Sequence, residues 1–144
     1  MKKFVSFFLV LSLVFCLSAC SGEIRFSEFD DYKPDLQSVV DYSLTYYLEN
    51  STTDDDMTFS LSDESWVSEE ISGAVQRIEG VGFDSIWVSA QYVVFWRDET
   101  KTYGLLYSKS ARKVLSSMKN DWYRGMDYNK IEGDWYEIGQ LNAI

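Results

Sequence analysis

Hydrophobic and polar positions divide the chain into one uninterrupted apolar run and a series of shorter periodic segments. The run, Phe4 to Ala19, carries no charge, follows Lys2 and Lys3, and is shorter than the roughly 20 residues a spanning helix needs. Its length and basic flank predict a secretory leader rather than a transmembrane helix. Residues 20–33 mix acids, serine and scattered phenylalanine without a period and predict a tether. Leu36, Val40, Leu44, Tyr47 and Leu48 then recur at three- and four-residue steps, which predicts a helix from Pro34 to about Asn50. Proline suits its first helical position, and Tyr42 and Tyr46 fall off the apolar stripe. Met57 to Leu61 predicts a short strand or an extended lead. Val67, Ile71, Ala74, Val75 and Ile78 share one face of a second helix, with Ser62 or Asp63 as its cap and Gly80 as a left-handed closing residue.

From Phe83 the pattern changes to strands. Phe83 to Val88 and Tyr92 to Trp96 are rich in β-branched and aromatic residues, with Ser89 to Gln91 as the turn between them. Thr102 to Ser108 predicts a third strand that puts Tyr103, Leu105 and Tyr107 on one side, and Asp98 to Lys101 closes that hairpin. Gly104 marks a place where a neighbouring backbone or ring approaches closely. Val114, Leu115 and Met118 follow the basic cluster Lys109 to Lys113 as a short helix or loop. Asp121-Trp122-Tyr123 and Asp134-Trp135-Tyr136 predict two last short strands. The expected architecture is α+β, with two helices packed on one face of a mostly antiparallel β-meander of three to five strands, forming one domain over 34–144.

Composition adds the chemistry. The aromatic share is 17%, with 5 Trp and 10 Tyr, more rings than a small core absorbs easily. The candidates for an aromatic binding surface are Trp122, Tyr123, Trp135 and Tyr136, followed by Trp96 and Tyr107; the competing reading is that these rings only cover a half-buried sheet. There is no histidine. Its absence removes the usual base of Ser-His and Cys-His pairs and the commonest zinc ligand. Asp54 and Asp56 alternate as calcium ligands do, yet no glycine follows at the sixth position and Ser65 stands where a bidentate Glu belongs, so no metal site and no cofactor are assigned.

Net charge is −10, and it is uneven. Cys20 to Glu70 holds 14 carboxylates against Arg25 and Lys33, whereas Ile71 to Ile144 holds 9 acids and 9 bases. Nucleic acid is therefore excluded as a partner. An acidic half steers a basic protein, with Asp54 to Asp56 and Glu69/Glu70 as the candidate acids.

The end of the apolar run, Leu17-Ser18-Ala19-Cys20, resembles the lipobox of bacterial lipoproteins. The resemblance covers residues 1–20 and implies that 1–19 is a signal peptide and that Cys20 receives a diacylglyceryl group and becomes the first mature residue. Two or more acyl chains anchor a protein firmly where a single chain holds only marginally. Cys16 would leave with the leader, so no disulfide would form. The implied location is extracytoplasmic, on a cell membrane or outer membrane, within reach of cell-wall components. The functional expectation is a noncatalytic binding or interaction module, an immunity or inhibitor protein in its sharper form. The alternatives are a small carboxylate-dependent cell-wall glycan hydrolase, which needs two acids in an aromatic groove, and an accessory subunit of an envelope complex.

Overall fold

The computed structural model describes residues 29–97 and 100–139. The chain separates into two units, 1–30 and 31–144, and the second holds the whole sheet. Cys20, the leader and most of the expected tether lie outside the described residues, as do Asp98 and Glu99 of the expected hairpin turn.

Helix α1 (Phe29–Asn50) leads into β1 (Met57–Ser60), a 3-10 turn (Glu64–Trp66) and α2 (Glu69–Gly80). Strands β2 (Ser85–Ser89), β3 (Tyr92–Trp96) and β4 (Tyr103–Tyr107) follow, then α3 (Ala111–Ser117), α4 (Asp121–Arg124), β5 (Asp127–Glu132) and β6 (Trp135–Gly139). All pairings are antiparallel and the strand order is β1-β2-β3-β4-β6-β5. The class is α+β as expected. The described residues hold six strands rather than three to five and four α-helices rather than two, and β6 inserts beside β4, so the meander ends after four strands.

The largest departure concerns the faces of the sheet. Cross-strand partners share a face, so the register puts Phe59, Ile86, Phe95, Leu105 and Trp135 on one side and Trp87, Val94, Trp96, Leu106, Tyr136 and Ile138 on the other. The first side lies under α1, α2 and the 3-10 turn: Phe59 meets Tyr46 edge-on at 5.5 Å and stacks on Trp66 at 4.9 Å, and Phe83, which follows α2, meets Phe95 at 6.1 Å. The second side, expected to be open, is covered by Ala111, Val114, Leu115 and Met118 of the α3 segment. All five residues of β3 are consequently buried. A strand buried on both faces loses its polar alternation and reads as a continuous apolar run, which is what Tyr-Val-Val-Phe-Trp is.

Several boundaries shift for local reasons. Helix α1 begins at Phe29, so Pro34 lies inside it and residues 29–33 are helical. Interior proline costs about 3 kcal/mol; burying Leu36, Val39 and Val40, at roughly 1.5–3 kcal/mol each, more than offsets that. The buried stripe runs Leu36, Val39, Val40, Ser43, Tyr47, leaving Leu48 71% exposed, while Tyr42 and Tyr46 are half-buried against Trp66 and Phe59. Asp63 caps the 3-10 turn by accepting from Ser65 N–H at 2.9 Å, and α2 starts after Ser68. Gly80 ends α2 and Gly82, at φ 98°, takes the left-handed conformation. Asp121 to Tyr123 is helical, started by the Asn120 side chain accepting from Trp122 N–H. The strand expected there is formed instead by the charged segment Asp127–Glu132, which is almost wholly exposed. As an edge strand it pairs only with β6, and polar side chains with a bulge between Lys130 and Glu132 suit such an edge.

Helices α1 and α2 are tied by a bidentate pair in which Arg77 Nε and Nη2 donate to Asp35 at 2.8 and 2.6 Å. The guanidinium hydrogen bonds, and secondarily its charge, hold the Asp35 carboxyl below its ordinary value despite partial burial. A depressed folded-state pKa contributes stability above the unfolded value of about 3.9 and loses it as pH falls through the folded one. Asp35→Asn is therefore expected to lower the urea midpoint at pH 7, with the difference shrinking as pH falls below the ordinary carboxylate range and through the lowered folded-state value. A difference that stays constant with pH would refute this assignment.

Candidate functional site

The acidic run follows α1 and is fastened from inside. Tyr47, buried on α1, donates its hydroxyl to the carbonyls of Thr53 and Asp55 at 3.4 and 3.3 Å, and Ser51 N–H bonds Tyr47 O at 2.8 Å. Tyr92, at the start of β3, donates its hydroxyl to Asp56 Oδ2. Burial first, and then that bond to a carboxylate, push the Tyr92 phenol well above its ordinary value, so it stays a donor across the working pH range. Tyr92→Phe is expected to cost about 1 kcal/mol of stability, read as a lower urea midpoint; an unchanged midpoint would mean that Asp56 does not hold the strand to the loop.

Opposite this loop stands the end of α3. Between them lies a groove of about 860 Å³ with Asp54 to Asp56 on one wall, Lys113 and Lys119 on the other, and Trp87, Tyr92, Met118 and Tyr123 among its lining. Lys119 Nζ donates to Asp55 Oδ1 at 2.9 Å and bridges the two walls. The hydrogen bond and charge of Lys119 hold Asp55 below its usual range, and Asp55 raises Lys119 in return. Both side chains are largely exposed, at 92% and 69%, so the bridge contributes little to stability and is readily exchanged.

Beneath the groove is an aromatic group. Trp87 contacts Tyr123 at 5.0 Å and Trp96 at 5.3 Å, and Trp96 contacts Tyr123 at 5.7 Å. Lys101 Nζ lies 4.5 Å from the Trp87 ring centre, which shows that this indole accepts a cation on its face.

The six aromatic residues singled out by sequence do not form one surface. Tyr123 lines the groove and Trp96 supports it from below, fully buried. Trp122, beside Tyr123 on α4, is 47% exposed and outside the lining. Tyr136 shares the Trp96 face of the sheet but is buried, with Tyr128 and Lys130 near its ring. Trp135 is buried on the opposite face, in edge contact with Tyr107 at 5.1 Å. The reason is the two-residue period of a strand, which sends Trp135 and Tyr136 to opposite sides of β6. Of the two acidic groups, Asp54 to Asp56 line the groove, whereas Glu69 and Glu70 stand in the first turn of α2, where they meet the positive end of the helix dipole.

Sequence reasoning passed over Trp87, Tyr92, Met118 and Lys119 as site residues. The available signal was the strand register: Trp87 and Tyr92 share a face of the first hairpin with Trp96, already a candidate. Lys119 carried no signal, since it reaches Asp55 from 64 residues away.

Among the described residues no group of three His, Cys, Asp or Glu side chains is placed to hold a metal ion, and no helix is long and apolar enough to cross a membrane. Searches against protein-family models, curated proteins and solved structures return no match to this chain. In chemical terms the groove offers carboxylate acceptors facing an aromatic and thioether lining, which suits an amphipathic cation with an apolar stem.

Proposed function

We propose that this protein is a lipid-anchored, extracytoplasmic binding module without catalytic activity, of the immunity or inhibitor kind, which captures a basic protein partner in the groove bounded by Asp54 to Asp56. The observation that carries the reading is the fastening of that acidic loop by Tyr47 and Tyr92 beside an aromatic-lined cleft. A preordered acidic wall loses little conformational freedom when a cation docks, and it steers an oppositely charged partner from a distance. The lipobox-like Leu17-Ser18-Ala19-Cys20 supports the location. A glycan hydrolase would need a carboxyl group held protonated near neutral pH, and Asp55 is displaced in the other direction.

Two measurements test the proposal. Mass spectrometry of the exported chain is expected to show acylated Cys20 at the amino terminus; an unmodified thiol with the leader attached would remove the anchor. Crosslinking in the native envelope, followed by binding assays with the purified partner, is expected to give a basic protein whose affinity falls steeply with ionic strength. The combined Asp54→Asn, Asp55→Asn and Asp56→Asn variant should lose that binding while staying folded, since all three side chains are exposed and the amide oxygen introduced at position 56 still accepts from the Tyr92 hydroxyl. Binding insensitive both to salt and to the triple variant would refute the groove as the docking site.

A further inference from the structure

We infer that Lys119 is a competitor held within the chain: it occupies the place at Asp55 that a cationic side chain of the partner takes on docking, and so sets the affinity of the groove. The inference rests on the binding function proposed above and names what enters the groove, a basic peptide segment that seats one arginine or lysine against the acidic wall.

Lys119 already presents the required interaction, an ammonium on Asp55 Oδ1 at 2.9 Å from across the cleft. It does so from solvent, with its side chain 92% exposed, so the contact holds only weakly and opens easily. The lining is more demanding than an ion pair alone. Trp87, Tyr123 and Met118 supply the apolar surface on which a long cationic stem lies while its head reaches a carboxylate. Trp87 carries a second internal cation, Lys101, over its ring, so this part of the surface is twice paired with the chain's own lysines. Charge complementarity and apolar floor together fit a basic side chain better than an acidic or neutral one. An arginine adds a planar group that pairs with a carboxylate through two bonds and packs flat on an indole.

The loop itself is fixed by groups that Lys119 does not touch, Tyr47 beneath Thr53 and Asp55 and Tyr92 on Asp56. Removing Lys119 therefore exposes Asp55 without dismantling the wall. Affinity should rise, because the incoming cation no longer displaces an existing one. The rise should be modest, since the pair exchanged is exposed.

The test is a titration of the full chain in detergent with a synthetic arginine-rich peptide and with the same peptide carrying citrulline, which keeps shape and loses charge. Lys119→Ala is expected to bind the arginine peptide roughly two- to five-fold more tightly than the unsubstituted chain. Lys109→Ala removes the same charge at an exposed position outside the groove lining and should give a smaller gain. Adding Asp55→Asn to Lys119→Ala should abolish the gain. If the unsubstituted chain binds the arginine peptide over the citrulline one, but Lys119→Ala is no tighter than Lys109→Ala, the competitor role is overturned and the binding function stands. If neither the unsubstituted chain nor Lys119→Ala distinguishes the two peptides, both are overturned.

Discussion

Replacing Gly104 with alanine is expected to destabilise the protein by about 3 kcal/mol, the upper end of the usual cost of overpacking, and valine should cost more still. A Cβ at this position would sit 2.4 Å from the Phe95 carbonyl oxygen and 3.0 Å from the Trp96 ring. Neither neighbour can yield. The carbonyl belongs to the ladder between β3 and β4, and Trp96 is fully buried between its partners Ser85 and Gly104, with the rings of Trp87 and Tyr123 against it. Relief requires moving one central strand away from the other, which weakens pairings at the middle of the sheet. For a domain whose whole stability is typically 5–15 kcal/mol, that is a large share. Gly80→Ala is the matched control, because nothing lies within 4 Å of its added Cβ; it should be neutral or slightly stabilising. Urea unfolding of both variants decides the matter, and a Gly104→Ala midpoint equal to that of Gly80→Ala would mean the two strands are not packed as described.

Trp96→Ala should be comparably damaging, roughly 3–5 kcal/mol for removal of a fully buried ring. It removes the centre of the second core layer: Trp96 lies in one cluster with Val114, Leu115 and Met118 of the α3 segment and Tyr136 and Ile138 of β6. The groove should fail with it, since Tyr123 and Trp87 both rest on that indole. Trp96→Phe separates shape from chemistry. The buried Nε1 of Trp96 has no acceptor among the described residues, so phenylalanine leaves a smaller cavity without breaking a hydrogen bond, and the cost should drop to about 1–2 kcal/mol. Trp122→Ala, at an exposed position, should stay within about 0.5 kcal/mol. Equal effects of Trp96→Ala and Trp122→Ala would contradict a second buried face.

The candidate site was half legible. Asp54 to Asp56 stand out in the sequence as a charge run, and Tyr123 and Trp96 are among its aromatic candidates. What could not be read was which rings meet. Trp135 and Tyr136 are adjacent in sequence and therefore on opposite faces of β6, while Trp87 and Tyr123, 36 positions apart, touch. Of the two Asp-Trp-Tyr segments expected as strands, the one at 121–123 is capped by Asn120 into a helical turn, and the one at 134–136 leads into β6, extended by its pairing with β4 and β5.

Periodicity alone determined the two main helices, the hairpin of β2 and β3, and the α+β class, because side-chain spacing of 3.6 and of 2 residues is a local property that burial only reinforces. Composition determined the acidic character and the lack of histidine chemistry. Only the tertiary structure decided that the sheet is covered on both sides, that a polar segment forms its outer strand, and that Lys119 reaches Asp55 across a groove. Each of these depends on contacts between residues far apart in the chain, where hydrogen bonding to a neighbouring strand or an opposed charge outweighs local preference.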